Sequence, residues 1–355
     1  MDAKRSVLLL IFAVTSYLLF VNWQQTYHGA AKKVNSPEQS TVLPEASVEP
    51  GAAVPETTEA PQGQSPSSEN TLLTVETDVL RLKIDTRGGD VVEAALLKYP
   101  ERLNEKDNPV RILTRNGGHH YVAQAGVVGL ASPDGKQKAL FTAPQKYFRL
   151  ASDQSVLVVP LSWTNEQGVR FTKTYRLQRG SYQITLDYQI ENKSNTIQKA
   201  QLFTQLVRDT EHAPEDSQGL GMRAYLGAAF STEDKRYEKY NFDDIREKPL
   251  KLATHGGWVA ILQHYFLSAW VPRSEGVNRI YTLTPDRYIA IGIMQPMVQI
   301  KPGSQAQFKA DLYVGPKIQE TLAEIAPGLD LTVDYGVLWW IGQPLFWLMK
   351  AFYSL

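Results

Sequence analysis

Cysteine is absent from this chain of 355 residues. That excludes disulfides, zinc–thiolate sites and cysteine nucleophiles, and it fits an exported protein that folds without disulfides. Net charge is absent too. The 37 basic residues balance 37 acidic ones, so the composition gives no argument for nucleic acid as a partner. There is no glycine-rich phosphate loop, no nucleophile elbow and no triad spacing. Histidine is scarce, and the one adjacent pair, His119-His120, would point to opposite faces of a strand and makes a poor metal pair. His255 and His264 stand alone. Trp163, Trp258 and Trp270 with scattered carboxylates could furnish a sugar platform, but no spacing singles out a catalytic pair. No catalytic, metal-binding or cofactor-binding residue is assigned, no cofactor is expected, and enzyme activity is not expected. No repeat of fixed period runs through the chain.

What is present begins at the two ends. Lys4 and Arg5 precede an uncharged run, Ser6 to Val21, closed by Asn22 and Trp23. Residues 6–23, with Leu8, Leu9, Leu10, Ile11, Phe12 and Trp23, are just long enough for a membrane span, which needs roughly 17–25 residues. The basic pair argues for a cytoplasmic N-terminus at residues 1–5 and an exported remainder. A cleaved leader is the rival reading, but the small residues Gly29-Ala30-Ala31 lie past bulky Trp23 and Tyr27. At the other end, Leu338, Ile341, Leu345, Leu348, Phe352 and Leu355 recur at steps of three and four, one face of a helix. Trp339, Trp340, Trp347, Tyr353 and Lys350 surround that stripe. Amphipathic rings and a snorkelling amine suit a helix lying at the bilayer interface; docking onto a soluble core is the rival reading.

Between the ends the pattern changes twice. Residues 24–70 read as a linker: Pro37, Pro44, Pro50, Pro55, Pro61 and Pro66 alternate with Glu, Ser, Thr and Ala, and no aromatic residue occurs from Ala30 to Asn70. From Leu72 to about Val314 the pattern is β. Tyr182, Ile184, Leu186, Tyr188 and Ile190 alternate with polar residues, as do Leu80, Leu82 and Ile84 before the turn Gly88-Gly89. Residues 156–163, 169–177, 200–207, 258–262, 265–270, 279–283, 288–294 and 307–314 read likewise. Many short strands with turns between them imply a large antiparallel sandwich. A helix is expected over 316–326, opened by Pro316 and stopped by Pro327-Gly328. The run from Glu233 to Glu247 mixes both signs of charge and reads first as a solvated face. Its interleaved Tyr237, Tyr240 and Phe242 mark it also as a candidate partner-docking surface.

Several ordered motifs then resemble one family. They are Gly88-Gly89-Asp90-Val91-Val92-Glu93, Lys173-Thr174-Tyr175 with Arg179-Gly180, Gly227-Ala228-Ala229, Tyr237-Glu238-Lys239-Tyr240, Gly256-Gly257-Trp258-Val259-Ala260 and Tyr313-Val314-Gly315-Pro316. The most specific is Leu329-Asp330-Leu331-Thr332-Val333-Asp334-Tyr335-Gly336 with Gln343-Pro344-Leu345-Phe346. Together they resemble the N-terminal portion of the Gram-negative YidC-type membrane protein insertases of the YidC/Oxa/Alb family. The resemblance implies an inner-membrane anchor, then a periplasmic β-supersandwich similar to galactose mutarotases over 71–328, then an amphipathic interfacial helix over 329–355. In the family a groove-bearing transmembrane bundle follows, so the chain is expected to lack it. The implied partners are nascent integral membrane proteins, the Sec translocon, the SecDF complex (through roughly 205–258) and membrane lipid. A stand-alone periplasmic glycan-binding or chaperone-like domain is the alternative.

Overall fold

The computed structural model describes residues 71–333, apart from breaks at 103, 106, 117, 130–132, 135–137, 211–224 and 286. Two sheets account for most of it. The larger, of eleven strands, runs in space β13 (Lys251–His255), β16 (Val277–Leu283), β17 (Tyr288–Met294), β10 (Gln198–Asp209), β5 (His119–Gly129), β4 (Pro109–Asn116), β3 (Asp90–Pro100), β2 (Leu80–Asp85), β1 (Leu72–Glu76) and β6 (Tyr147–Arg149), with β18 (Val298–Ile300) a spur on β10. The smaller has eight: β12 (Glu238–Tyr240), β11 (Gly227–Ser231), β14 (Trp258–Leu262), β15 (Phe266–Pro272), β19 (Gln305–Pro316), β9 (Gln183–Asn192), β8 (Val169–Gln178) and β7 (Val156–Thr164). Described pairings are antiparallel, apart from β1 with β6. The protein is thus mainly β, a large antiparallel sandwich.

The sheets stack because each presents one apolar face. On β9, Ile184, Leu186, Tyr188 and Ile190 are buried while their alternates are part-exposed, the period-two pattern of a half-buried strand. They join Leu82, Ile84, Leu113, Leu202, Leu206 and Ile291 of the larger sheet in one shared core. Strands β14 and β15 are buried on both faces: Val259, Ile261 and Trp270 point into that core, while Trp258, Ala260, Leu267 and Ala269 form a second cluster outside it. That outer cluster is covered by helix α2 (Gln319–Ile325) and the 3-10 turn Leu329–Thr332, through Leu322, Ile325 and Leu329.

The helix begins three residues later than its sequence predicts. Pro316 closes β19 by pairing with Phe266, and Lys317 N–H donates to the Tyr265 carbonyl at 2.9 Å. Strand pairing outweighs the preference of proline for a first helical turn. The stop at Pro327-Gly328 is as expected. The anchor, the linker and the interfacial stripe of Leu338, Trp339, Ile341, Leu345, Leu348 and Phe352 lie outside the described residues. Among those described, no helix is long and apolar enough to cross a membrane.

Candidate docking site

The mixed-charge run forms β12 and the short helix α1 (Phe242–Glu247). Asp243 and Asp244 occupy its first turn, and the Asp244 carboxylate accepts the Asn241 N–H at 3.2 Å, a favourable placement at a helix N-terminus. The three aromatic residues do not face outward together. Phe242 is buried, with the Arg208 guanidinium 5.8 Å above its ring. Tyr240 packs edge-on against Phe230 at 6.2 Å, and its hydroxyl donates to the Lys248 carbonyl at 2.5 Å. Tyr237 stacks on Trp258 at 6.3 Å. The rings hold the segment to the sandwich, and the ion pairs Lys235–Glu238 and Arg246–Asp243 remain at the surface.

This segment meets the chain that leaves the sandwich. The Trp258 indole N–H donates to the Pro327 carbonyl at 3.0 Å. Gly328 has φ of 79°, and a Cβ there would lie 2.2 Å from the Arg236 carbonyl oxygen. Only glycine permits both the left-handed turn and that approach. Beside them Arg273 pairs with Asp311 at 2.5 Å, and Asp311 also accepts the Thr185 hydroxyl at 2.8 Å. The charged run, Trp258 and the exit from α2 therefore form one junction. Sequence patterning flagged Tyr237 but gave no sign of its link to Gly328.

A second node lies between the sheets, where two of the sequence motifs touch. Lys173 is fully buried, and its ammonium donates to the carbonyls of Gly88 and Ala125. It also lies 5.2 Å from the rings of Phe141 and Tyr188. Tyr175 donates to the Gly89 carbonyl at 2.6 Å. On β5 the carbonyl of Ala125 takes Lys173, while the N–H of Val127 donates to Asp134 at 2.9 Å. Two side chains thus substitute for a ladder partner where β3 and β4 diverge from β5. Burial pushes the Lys173 amine down and the Asp134 carboxyl up. Burial would lower Lys138 as well, but the paired Asp90 leaves it raised. The sequence does carry the signal: Lys173 falls in phase with Val169, Phe171, Tyr175 and Leu177, the buried face of β8.

The outer face of the larger sheet carries a polar row. The Asp90 carboxylate accepts from Gln124, whose own carbonyl accepts from Gln205 at 2.7 Å, and Gln205 accepts the Tyr281 hydroxyl at 2.9 Å. Tyr281 reaches across β17 because Gly292 leaves room for its ring. All four polar groups are satisfied within the row, which reads as architecture. Trp258 and Trp270 are both buried, on opposite faces of the smaller sheet, so they share no sugar platform. His119 is exposed and His120 buried; burial, then the Arg115 charge, pushes His120 down to about 4. Among the described residues no three acidic or histidine side chains gather as a metal site.

The family profile and the curated relatives agree with one another on family. A family profile described as the YidC periplasmic domain matches residues 72–348. The membrane protein insertase YidC of Aeromonas hydrophila is 42% identical over all of this chain, which covers 64% of that protein. The insertase YidC of Pseudomonas putida strain W619 is 38% identical, with 66% of its length covered. The chain thus spans about two thirds of the length of the relatives it matches. Among solved structures, a galactose mutarotase related enzyme from Lactobacillus acidophilus superposes with a TM-score of 0.44 at 13% identity, over 69% of this chain and 97% of its own. With its motifs in order and its sandwich matched nearly end to end by the profile, the chain belongs to the YidC periplasmic domain family.

Proposed function

We propose that this chain is the anchor and periplasmic portion of a YidC-type insertase of a Gram-negative inner membrane, with a cytoplasmic N-terminus. The observation that carries the reading is its 42% identity, along its whole length, to a protein named as that insertase. In this role the sandwich does no bond chemistry. It positions and docks, while insertion of nascent membrane proteins belongs to the bundle that the family carries further on. A polar cavity in such a bundle lowers the cost of moving polar residues through hydrocarbon. The junction of Tyr237, Trp258 and Gly328 supports the reading, because it couples the charged segment to the stretch that leads toward the interfacial helix. Contact with SecDF is assigned to the stretch 205–258, which contains that segment, and the Sec translocon is a further expected partner. Residues 6–23 are assigned to lipid, as is the expected interfacial stretch 329–355 except for its first residues, since Leu329–Thr332 form a 3-10 turn packed on the sandwich.

A hybrid tests this. The chain replaces the matching part of the Aeromonas hydrophila insertase in cells depleted of their own, and insertion of a reporter membrane protein is followed. Restored insertion is expected, whereas the chain alone should insert nothing. A hybrid that is stably membrane-bound yet inactive, or a lone chain that inserts the reporter, would defeat the proposal. A photo-crosslinker at Asp243 tests the docking assignment, with SecDF as the expected adduct.

A further inference from the structure

The two sheets end in four edges, and three of them are blunted. Strands β6 and β12 are three residues long. Strand β7 has Pro160 at its centre, and Thr142 pairs with Ser162 along its outer side. Short edges, proline and cover are the usual protections against unwanted strand pairing. Among the described residues the fourth edge, β13, has none of these. Its five residues keep an unbroken register with β16, and four of them are exposed.

The pairing pattern fixes which of its backbone groups are free. Thr282 N–H donates to the Leu250 carbonyl at 3.2 Å. Antiparallel alternation then turns Leu252 and Thr254 toward β16, and Lys251 and Ala253 outward. Among the described residues nothing pairs with the outward N–H or C=O of Lys251 or Ala253. Beside this edge opens a cavity of about 360 Å³, walled by Lys251, Ala253, Arg279, Tyr281 and Met294. Its two cations have no acidic partner among the described residues, while most other cations of the larger sheet, such as Arg81, Arg111 and Arg115, are paired. A free edge supplies main-chain hydrogen bonds, and an adjoining pocket reads one side chain of the added strand.

We propose that β13 is a docking edge for an extended segment of another protein, one that alternates acidic with apolar residues. Its carboxylates stand on the cavity face over Lys251 and Arg279, its backbone pairs with Lys251 and Ala253, and its apolar side chains fall on the opposite face beside the exposed Leu252. The same charges disfavour a second copy of this chain at the edge, since two-fold pairing would gather the Lys251 and Arg279 of both copies on one face of the joined sheet. The edge lies within the 205–258 stretch that the resemblance gives to SecDF, and the peptide test is independent of that reading, because the edge binds or fails to bind the peptide whether or not SecDF docks there.

The test uses the full chain in lipid nanodiscs and a fluorescein-labelled peptide alternating glutamate with leucine, followed by anisotropy. Saturable binding is expected, weakened at least roughly tenfold by Ala253→Pro. That substitution removes an N–H the sheet does not use, at an edge where proline is tolerated. The pair Lys251→Glu/Arg279→Glu should lose the acidic peptide and gain its lysine-for-glutamate counterpart, which keeps the test decisive if the proline variant melts early. Binding indifferent to both changes, equal binding of the lysine peptide to the unaltered chain, or a dimer that Ala253→Pro dissolves would each overturn the proposal.

Discussion

Replacing Gly328 with alanine should loosen the junction by an amount that can be separated into two parts. The backbone at Gly328 has φ of 79°, and an added Cβ would stand 2.2 Å from the Arg236 carbonyl oxygen. The left-handed conformation alone costs a residue with a side chain roughly 1–2 kcal/mol. The collision must also be relieved by moving backbone, either the Arg236 peptide or the turn after α2, and forced overpacking of this sort costs roughly 1–3 kcal/mol. The sum, about 2–5 kcal/mol, corresponds to a fall in melting temperature of about 4–10 °C for a domain of this size. Gly180 is the control. Its φ is 71° with nothing within 4 Å of the added carbon, so Gly180→Ala should incur only the conformational part, about 1–2 kcal/mol. Thermal unfolding of both variants followed by tryptophan emission measures the difference, and Trp258 reports locally on the junction. Equal losses in the two variants would refute the close approach of Gly328 to Arg236 and, with it, the mechanical link between charged segment and exit.

Trp258→Phe should cost about 2–4 kcal/mol, from a smaller buried ring and an orphaned Pro327 carbonyl, and protease should then cut near residue 328 before the sandwich unfolds. Lys173→Met should lose about 3–5 kcal/mol in a denaturant titration, because two buried carbonyls lose their donor and Asp134 its counter-charge; adding Asp134→Asn should recover part of it. His120 ties stability to pH. Its folded pKa of about 4 lies below the ordinary 6.5, so the unfolded chain binds the extra proton first. The stabilisation is complete above pH 6.5 and is lost as pH falls toward 4, by about 3 kcal/mol. In His120→Gln, melting curves over that window should flatten.

The sequence made some strands legible and hid others for identifiable reasons. Strands β8 and β9 show clean alternation because one face meets the core and the other meets water. Strand β11, Gly-Ala-Ala-Phe-Ser, is buried on both sides with small residues, so neither period nor β-propensity marks it. Strand β3 shifts register against β2 and β4, and the bulges break the alternation that a pattern search needs. In the candidate site, aromatics among charges singled out Tyr237, Tyr240 and Phe242 as a docking surface, yet their rings turn inward. Whether a tyrosine faces a partner or its own fold depends on a tertiary neighbour, here Trp258, that local patterning does not contain.

The contact of Lys173 and Tyr175 with the Gly88-Gly89 turn has a consequence in time. The donors lie 85 and 86 residues after their acceptors. During synthesis at roughly 5–20 residues per second, the turn waits seconds before the residues that lock it emerge. Until then the Ala125 carbonyl of β5 lacks the Lys173 ammonium, although Asp134, seven residues past Val127, is already available to that N–H. Such long-range closure is the kind that folds slowly and leaves edges exposed, so the first third of this sandwich is the portion with most use for a chaperone while its partner strand is still to come.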